Sequence, residues 1–136
     1  MADPFQAPAE SSAVLDLSPP ASGSRYHDPA EATWQATDAP GFWLKPLLND
    51  PQSGLSTALM KIDPGAFADW HAHREQEQIL VLEGSFHDQD QEVSAGGYVV
   101  RAPGASHTAG SREGAVVLLL FTASEGAAAG AAEETA

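Results

Sequence analysis

Cysteine is absent from the 136 residues of this chain. That excludes disulfides, thiolate zinc sites and cysteine nucleophiles, and leaves nitrogen and oxygen as the only ligands for any metal. Basic residues are scarce: six Lys and Arg stand against 19 Asp and Glu, a formal net charge of −13. Arg25, Lys45, Lys61, Arg74, Arg101 and Arg112 are scattered and form no stripe. Phosphate-bearing partners would be repelled, so neither nucleic acid nor an anionic membrane surface is expected, and the acidic excess reads as a solubility device. Long apolar runs are missing. The longest, 115-AVVLLLF-121, is too short to span a bilayer and has the length of a strand. The opening 1-MADPFQAPAESSAVLDLSPP-20 has neither a basic start nor an apolar run, so no signal peptide is expected and the cytoplasm is the expected compartment. No Gly-rich phosphate loop, Ser-His-Asp arrangement or dinucleotide fingerprint occurs either.

A helical period is lacking as well: no window of helical length carries apolar residues at i, i+3, i+4 and i+7. What is present, from about Trp34, is a series of short apolar segments. Strands are expected near 42-FWLKPLL-48, 55-LSTALMKID-63, 70-WHAH-73, 76-QEQILVLEG-84, 98-YVVRA-102, 105-ASHTA-109 and 115-AVVLLLFTA-123. The punctuation between them is turn chemistry: 49-NDPQSG-54, 63-DPG-65, 87-HDQDQE-92 and 110-GSREG-114. Many short strands at close spacing predict an all-β fold, a small antiparallel β-barrel or sandwich with the jelly roll a leading form. The length suits one core. A flexible N-terminal arm is expected over 1–25, the β-barrel domain over 26–123 and a flexible C-terminal tail over 124–136.

Within this frame, 71-HAHREQE-77 places two imidazoles and a carboxylate in odd register. Side chains alternate along a strand, so His71, His73 and Glu77 share a face if the segment stays extended or turns in a parity-preserving hairpin. Ile79 and Val81 continue that face, which makes it the inward one. Such a face is costly unless something satisfies its polar groups, and a divalent cation does so directly. His107 is a fourth candidate, presented inward after the Pro-Gly bend of 102-APGASH-107. His27 and His87 lie in polar segments and read as surface. Local pattern alone leaves two readings open: a half-buried strand with polar residues on it, or most of a metal site.

The wider spacing carries a resemblance. Gly65, His71, His73, Glu77 and Gly84 stand at the intervals of the first cupin motif, and Gly96, Gly104 and His107 at those of the second. Ala102 and Ser111 replace the proline and asparagine usual in the second, neither of them a metal ligand in the family. Over about residues 33–122, and especially from 41-GFWLKPLLNDP-51 through 79-ILVLEGSF-86 to 95-AGGYVVRAPGASH-107, the chain resembles the ChrR-like cupins. The resemblance implies a β-barrel or jelly roll with one divalent metal per chain. It carries His71, His73, Glu77 and His107 over as ligands; Glu75 is the alternative carboxylate, set aside because it falls in the turn. Fe(II) is favoured, and the ligand set also suits Mn(II), Zn(II), Ni(II) and Co(II).

ChrR-like cupins include iron-dependent dioxygenases that cleave carbon–carbon bonds in diketone-like or hydroxyacetophenone-like compounds. A dioxygenase of a small organic substrate is therefore the leading expectation, with a metal-bound ligand sensor or a non-redox lyase or isomerase as alternatives. The anti-sigma architecture needs a helical domain with its own zinc ligands. Residues 1–32 carry one histidine, no cysteine and no helical period, so sigma-factor binding is not expected. The pocket is assigned to Leu59 or the Met60/Ile62 pair, with Ile79, Val81, Phe86 and Val99. Arg101, His87 and Asp69 read as surface residues at its rim, and no general acid or base is evident outside the ligands. Trp70, of opposite parity, should face away from the metal. Trp34, Phe42 and Trp43 read as packing residues or part of a dimer contact, and a homodimer is expected.

Overall fold

The computed structural model describes residues 24–122. The expected tail, and all of the expected arm but Ser24 and Arg25, lie outside these residues. A 3-10 turn at Pro29–Glu31 precedes nine strands: β1 (Gln35–Ala36), β2 (Phe42–Asp50), β3 (Leu55–Ile62), β4 (Phe67–His71), β5 (Gln76–His87), β6 (Glu92–Ser94), β7 (Tyr98–Arg101), β8 (His107–Gly110) and β9 (Ala115–Thr122). Every pairing is antiparallel. The order β1-β2-β3-β9-β5 continues to β7 on one side, while β5 also reaches β6 and β8, and β8 pairs with β4. Among the described residues no helix is long and apolar enough to cross a membrane.

β5 is the hinge of the architecture. Its first part, Gln76–Gly84, runs beside β9 and β7, and its last part, Ser85–His87, beside β6 and β8. One strand thus passes from one sheet into the other and curls the whole into an open half-barrel. Alternation sets its first part: Glu77, Ile79 and Val81 are buried while Leu80 and Leu82 are exposed. A register shift between Val81 and Glu83 then breaks the period, so Phe86, of even number, also turns into the core. Gly84 sits at this corner with φ +73°, and a Cβ there would run into the Gly114 carbonyl. Glycine is required on both counts.

The core lies on the inner faces and includes Phe42, Leu44, Met60, Ile62, Val117 and Leu119, each large side chain contributing about 1.5–3 kcal/mol by leaving water. Trp34 packs outside it: the Lys45 ammonium stands 4.6 Å over its ring and donates to the Pro29 carbonyl at 2.8 Å, tying the N-terminal segment to β2. Trp43 donates to Asp63 at 3.1 Å. Ser111 is 1% exposed. Its hydroxyl donates to the Ser85 carbonyl at 2.6 Å and accepts the Gly114 N–H at 2.8 Å, and its carbonyl accepts from Gly65. That one residue pins the β8–β9 turn, β5 and the β3–β4 turn together.

Several expected boundaries move. β1 and β6 were too short to leave a periodic signal. β4 starts at Phe67 and ends at His71 instead of covering 70–73, so His73 lies beyond the strand. β5 runs past Gly84 to His87, because the glycine is a corner and not an end. His87, expected in a surface loop, is half-buried; it faces Gly110, where a Cβ would come within 2.8 Å of its ring, and stacks on Phe67. His27 is also half-buried.

Candidate metal centre

Each imidazole reaches the centre from a different piece of backbone. His71 closes β4 and His107 opens β8, directly opposite in register, their ring centroids 4.3 Å apart. His73 follows two residues later in the connection to β5, its ring 5.1 Å from His71 and 5.2 Å from His107. The second motif holds it there: the Gly104 N–H donates to the His73 carbonyl at 2.8 Å, and Ala105 closes a turn onto Ala102. The 102–105 bend thus clamps the first motif while aiming His107. One ligand atom from each of the three histidines lies within 4.8 Å of the others, and all three are buried, at 3–5% exposure.

The outer ring nitrogens decide the tautomers. His71 Nδ1 lies 2.7 Å from the Asp69 carbonyl and His107 Nδ1 3.1 Å from the Ala105 carbonyl. A carbonyl can only accept, so Nδ1 carries a proton in each ring, and in the neutral ring Nε2 keeps its lone pair. Orienting bonds of this kind are those that metal-ligating imidazoles use. Burial, reinforced by the Arg101 charge, pushes the His107 pKa down to about 4 and keeps the ring neutral, against an opposing contribution from the Ala105 bond. Glu77 stands beside them: its Oε1 is 3.8 Å from His73 Nε2 and 3.7 Å from His107 Nε2. Buried imidazole nitrogens, two of the rings pre-oriented, with a buried carboxylate beside them fit a divalent cation of the borderline class. Glu75, by contrast, sits half-buried in the bend before β5.

Sequence reasoning missed one residue here. Arg101, read as a surface residue, has a side chain only 9% exposed; its Nε is 3.3 Å from Glu77 Oε1 and its Nη1 3.0 Å from Asp88 Oδ2. The reason is an inverted face. In β7 the apolar Tyr98 and Val100 are the exposed side chains, so Arg101 and Val99 point inward, with Arg101 opposite Glu77. Partial burial works against ionisation of Asp88, but N–H groups of Gln91 and Asp90 and the Arg101 guanidinium outweigh it and hold the carboxyl below its usual range. Asp69 is exposed and contributes its carbonyl alone.

The apolar candidates divide. Met60, Ile62, Ile79, Val81 and Phe86 are core, and Val99 packs against it. Leu59 does not belong with them: it is half-buried and registers with Leu118, and through Leu118 with Leu80 and Tyr98, a row on the outer face. Its odd number on β3 sets it opposite to Met60 and Ile62. The Phe121 ring stands edge-on to His73, the centroids 5.2 Å apart. Trp70 is 51% exposed, pointing outward as its parity implies.

A fold of this kind with clustered histidines has known relatives. The family model of the ChrR cupin-like domain matches residues 22–125. The chain belongs to this cupin family. Among solved structures it is similar to an RmlC-like cupin from Shewanella frigidimarina, at 21% identity and TM-score 0.64, covering 75% of this chain and 93% of that one. It is also similar to the complex of Rhodobacter sphaeroides SigE with the anti-sigma ChrR (22% identity, TM-score 0.59, 67% of this chain and 50% of that one). A third is a protein from Methylibium petroleiphilum named as a candidate acetylacetone dioxygenase (16%, 0.63, 72% and 76%). No curated protein compared with the chain matches it. At these identities the structural likenesses establish the cupin fold.

Proposed function

We propose that this cupin is a metal-dependent enzyme acting on a small organic molecule, and within that class a dioxygenase of compounds with a 1,3-dicarbonyl or hydroxyacetophenone unit. The observation that carries the reading is the cluster of three buried imidazoles, two of them oriented through Nδ1 by backbone carbonyls. His71, His73 and His107 hold the ion, Fe(II) by preference, and Glu77 stands within reach as a fourth ligand. When bound, the metal supplies Lewis acidity and a site for dioxygen and for the substrate's oxygens. The chain's own part is to orient and to exclude water. The Asp69 and Ala105 carbonyls keep both Nδ1 protons in place, Phe121 and the apolar interior keep the surroundings dry, and Arg101 restrains Glu77. Both atoms of dioxygen enter the cleaved products, so the reaction draws on no external reductant. The dioxygenase name carried by a protein of the same fold accords with this.

The test is oxygen uptake by Fe(II)-loaded protein against a panel of 1,3-diketones. Uptake that depends on Fe and is lost on exchange for Zn(II) supports the dioxygenase. Metal-bound protein that consumes no oxygen across the panel sinks it in favour of a non-redox enzyme or a ligand sensor. We further infer a homodimer, supported by the exposed apolar residues Leu80, Leu82, Tyr98 and Val100 on one outer face. Light scattering that returns the 14.2 kDa mass of one chain would refute it.

A further inference from the structure

The turn between β5 and β6 reaches the histidine cluster by two routes. It is closed from within: Asp88 Oδ1 accepts the Asp90 and Gln91 N–H groups at 2.8 and 2.9 Å, and the Asp88 N–H donates to the Gln91 carbonyl at 3.0 Å. The first route starts from the other Asp88 oxygen. Oδ2 accepts from Arg101 Nη1 at 3.0 Å, and the same guanidinium pairs through Nε with Glu77 Oε1 at 3.3 Å. One buried cation is thus shared by two carboxylates. The second route is Gln89, whose Oε1 accepts the Thr108 N–H at 2.9 Å. The topology explains why a side chain is needed there. β8 pairs with β4 from His107 to Gly110, but among the described residues it meets β5 only at Gly110, opposite His87. Thr108 is buried, and an N–H left without an acceptor there would be costly. Gln89 stands in for the missing strand.

Both routes end on candidate ligands that face each other. Arg101 touches Glu77, Thr108 follows His107 in the chain, and Glu77 Oε1 lies 3.7 Å from His107 Nε2. His71 and His73 are held otherwise, by the β4–β8 register and by the Gly104 N–H. We propose that Asp88 and Gln89 are positioning residues of the metal centre, and that this turn, through Arg101 and Thr108, sets the gap between Glu77 and His107. The inference rests on reading the histidine cluster as a metal site. Asp88 also has an electrostatic part: it balances Arg101, so that the guanidinium charge does not fall on Glu77 alone and draw that carboxylate away from the ion.

The experiment measures Co(II) affinity of the full-length protein by competition with a chromophoric chelator, together with the visible spectrum at saturating Co(II), which reports the geometry of the ligands. Asp88→Asn keeps an oxygen for the turn and loses the charge; it should bind Co(II) roughly 10- to 100-fold more weakly, the usual worth of a group that orients a metal ligand, with an altered spectrum. Gln89→Ala should weaken binding about 2- to 10-fold, the worth of one hydrogen bond. Gln89→Glu, which keeps the accepting oxygen, should return the wild-type spectrum. Wild-type affinity and spectrum in both Asp88→Asn and Gln89→Ala overturn the inference, as does a lowered Tm with affinity and spectrum unmoved, which marks a structural part alone. A change in one variant only removes the other residue from the assignment. Gln89 is exposed, so its two variants decide the matter if Asp88→Asn does not fold. A wild type that takes up no Co(II) is the distinct result that sinks the reading of the cluster, and this inference with it.

Discussion

Ser111→Ala removes one oxygen atom and should cost a large share of the fold's stability. The hydroxyl is buried and serves two backbone groups, the Ser85 carbonyl at 2.6 Å and the Gly114 N–H at 2.8 Å. Alanine leaves both without that partner. A backbone group deprived of its hydrogen bond in a buried setting costs about 1–3 kcal/mol; the Gly114 N–H is only partly buried and recovers some of this from water. The sum is about 2–4 kcal/mol, out of a total stability on the order of 5–15 kcal/mol for a domain. For a domain of about a hundred residues that lowers Tm by roughly 10–25 °C. Thermal unfolding followed by circular dichroism measures the shift, with metal content measured alongside. Ser111 touches no imidazole, so folded variant should still bind metal at wild-type stoichiometry. A Tm within about 3 °C of wild type would refute the assignment of the hydroxyl as the joint between the turns, and metal lost with Tm intact would refute its separation from the site.

Gly84→Ala should destabilise by about 2–5 kcal/mol, combining an unfavourable left-handed backbone with overpacking against the Gly114 carbonyl; urea denaturation that shows less than about 1 kcal/mol contradicts the close approach. The His107 contribution should make metal-free protein lose stability as pH falls from about 6.5 to about 4, since the unfolded chain takes up a proton on His107 that the folded chain refuses until about pH 4. Stability therefore rises with pH across that window, and His107→Gln should flatten part of the slope; an unchanged slope in the variant would count against the burial of a neutral ring.

How much of this was legible in the sequence depended on how local each feature is. The interval between His71, His73 and Glu77 is local and was readable, as was the parity that sends Ile79 and Val81 inward and Trp70 outward. The route was less so. His71 and Glu77 belong to different strands, with a bend at 74–75 between them, and the opposition of His71 to His107 is a register set by the distant β4–β8 pairing. Arg101 was misplaced because hydropathy assigns charge to the outside, whereas in β7 the outward face is the apolar one. The end of β5 was misplaced because glycine marks both strand ends and corners, and only the second sheet distinguishes them.

The central claim is that His71, His73 and His107 form one metal-binding unit. Elemental analysis of protein purified without chelators, wild type beside a His71→Ala/His107→Ala double variant shown to be folded, tests it most directly. The expected result is about one divalent ion per chain in wild type, the stoichiometry of a single closed ligand set, and almost none in the double variant. Full metal content in the double variant would contradict the assignment.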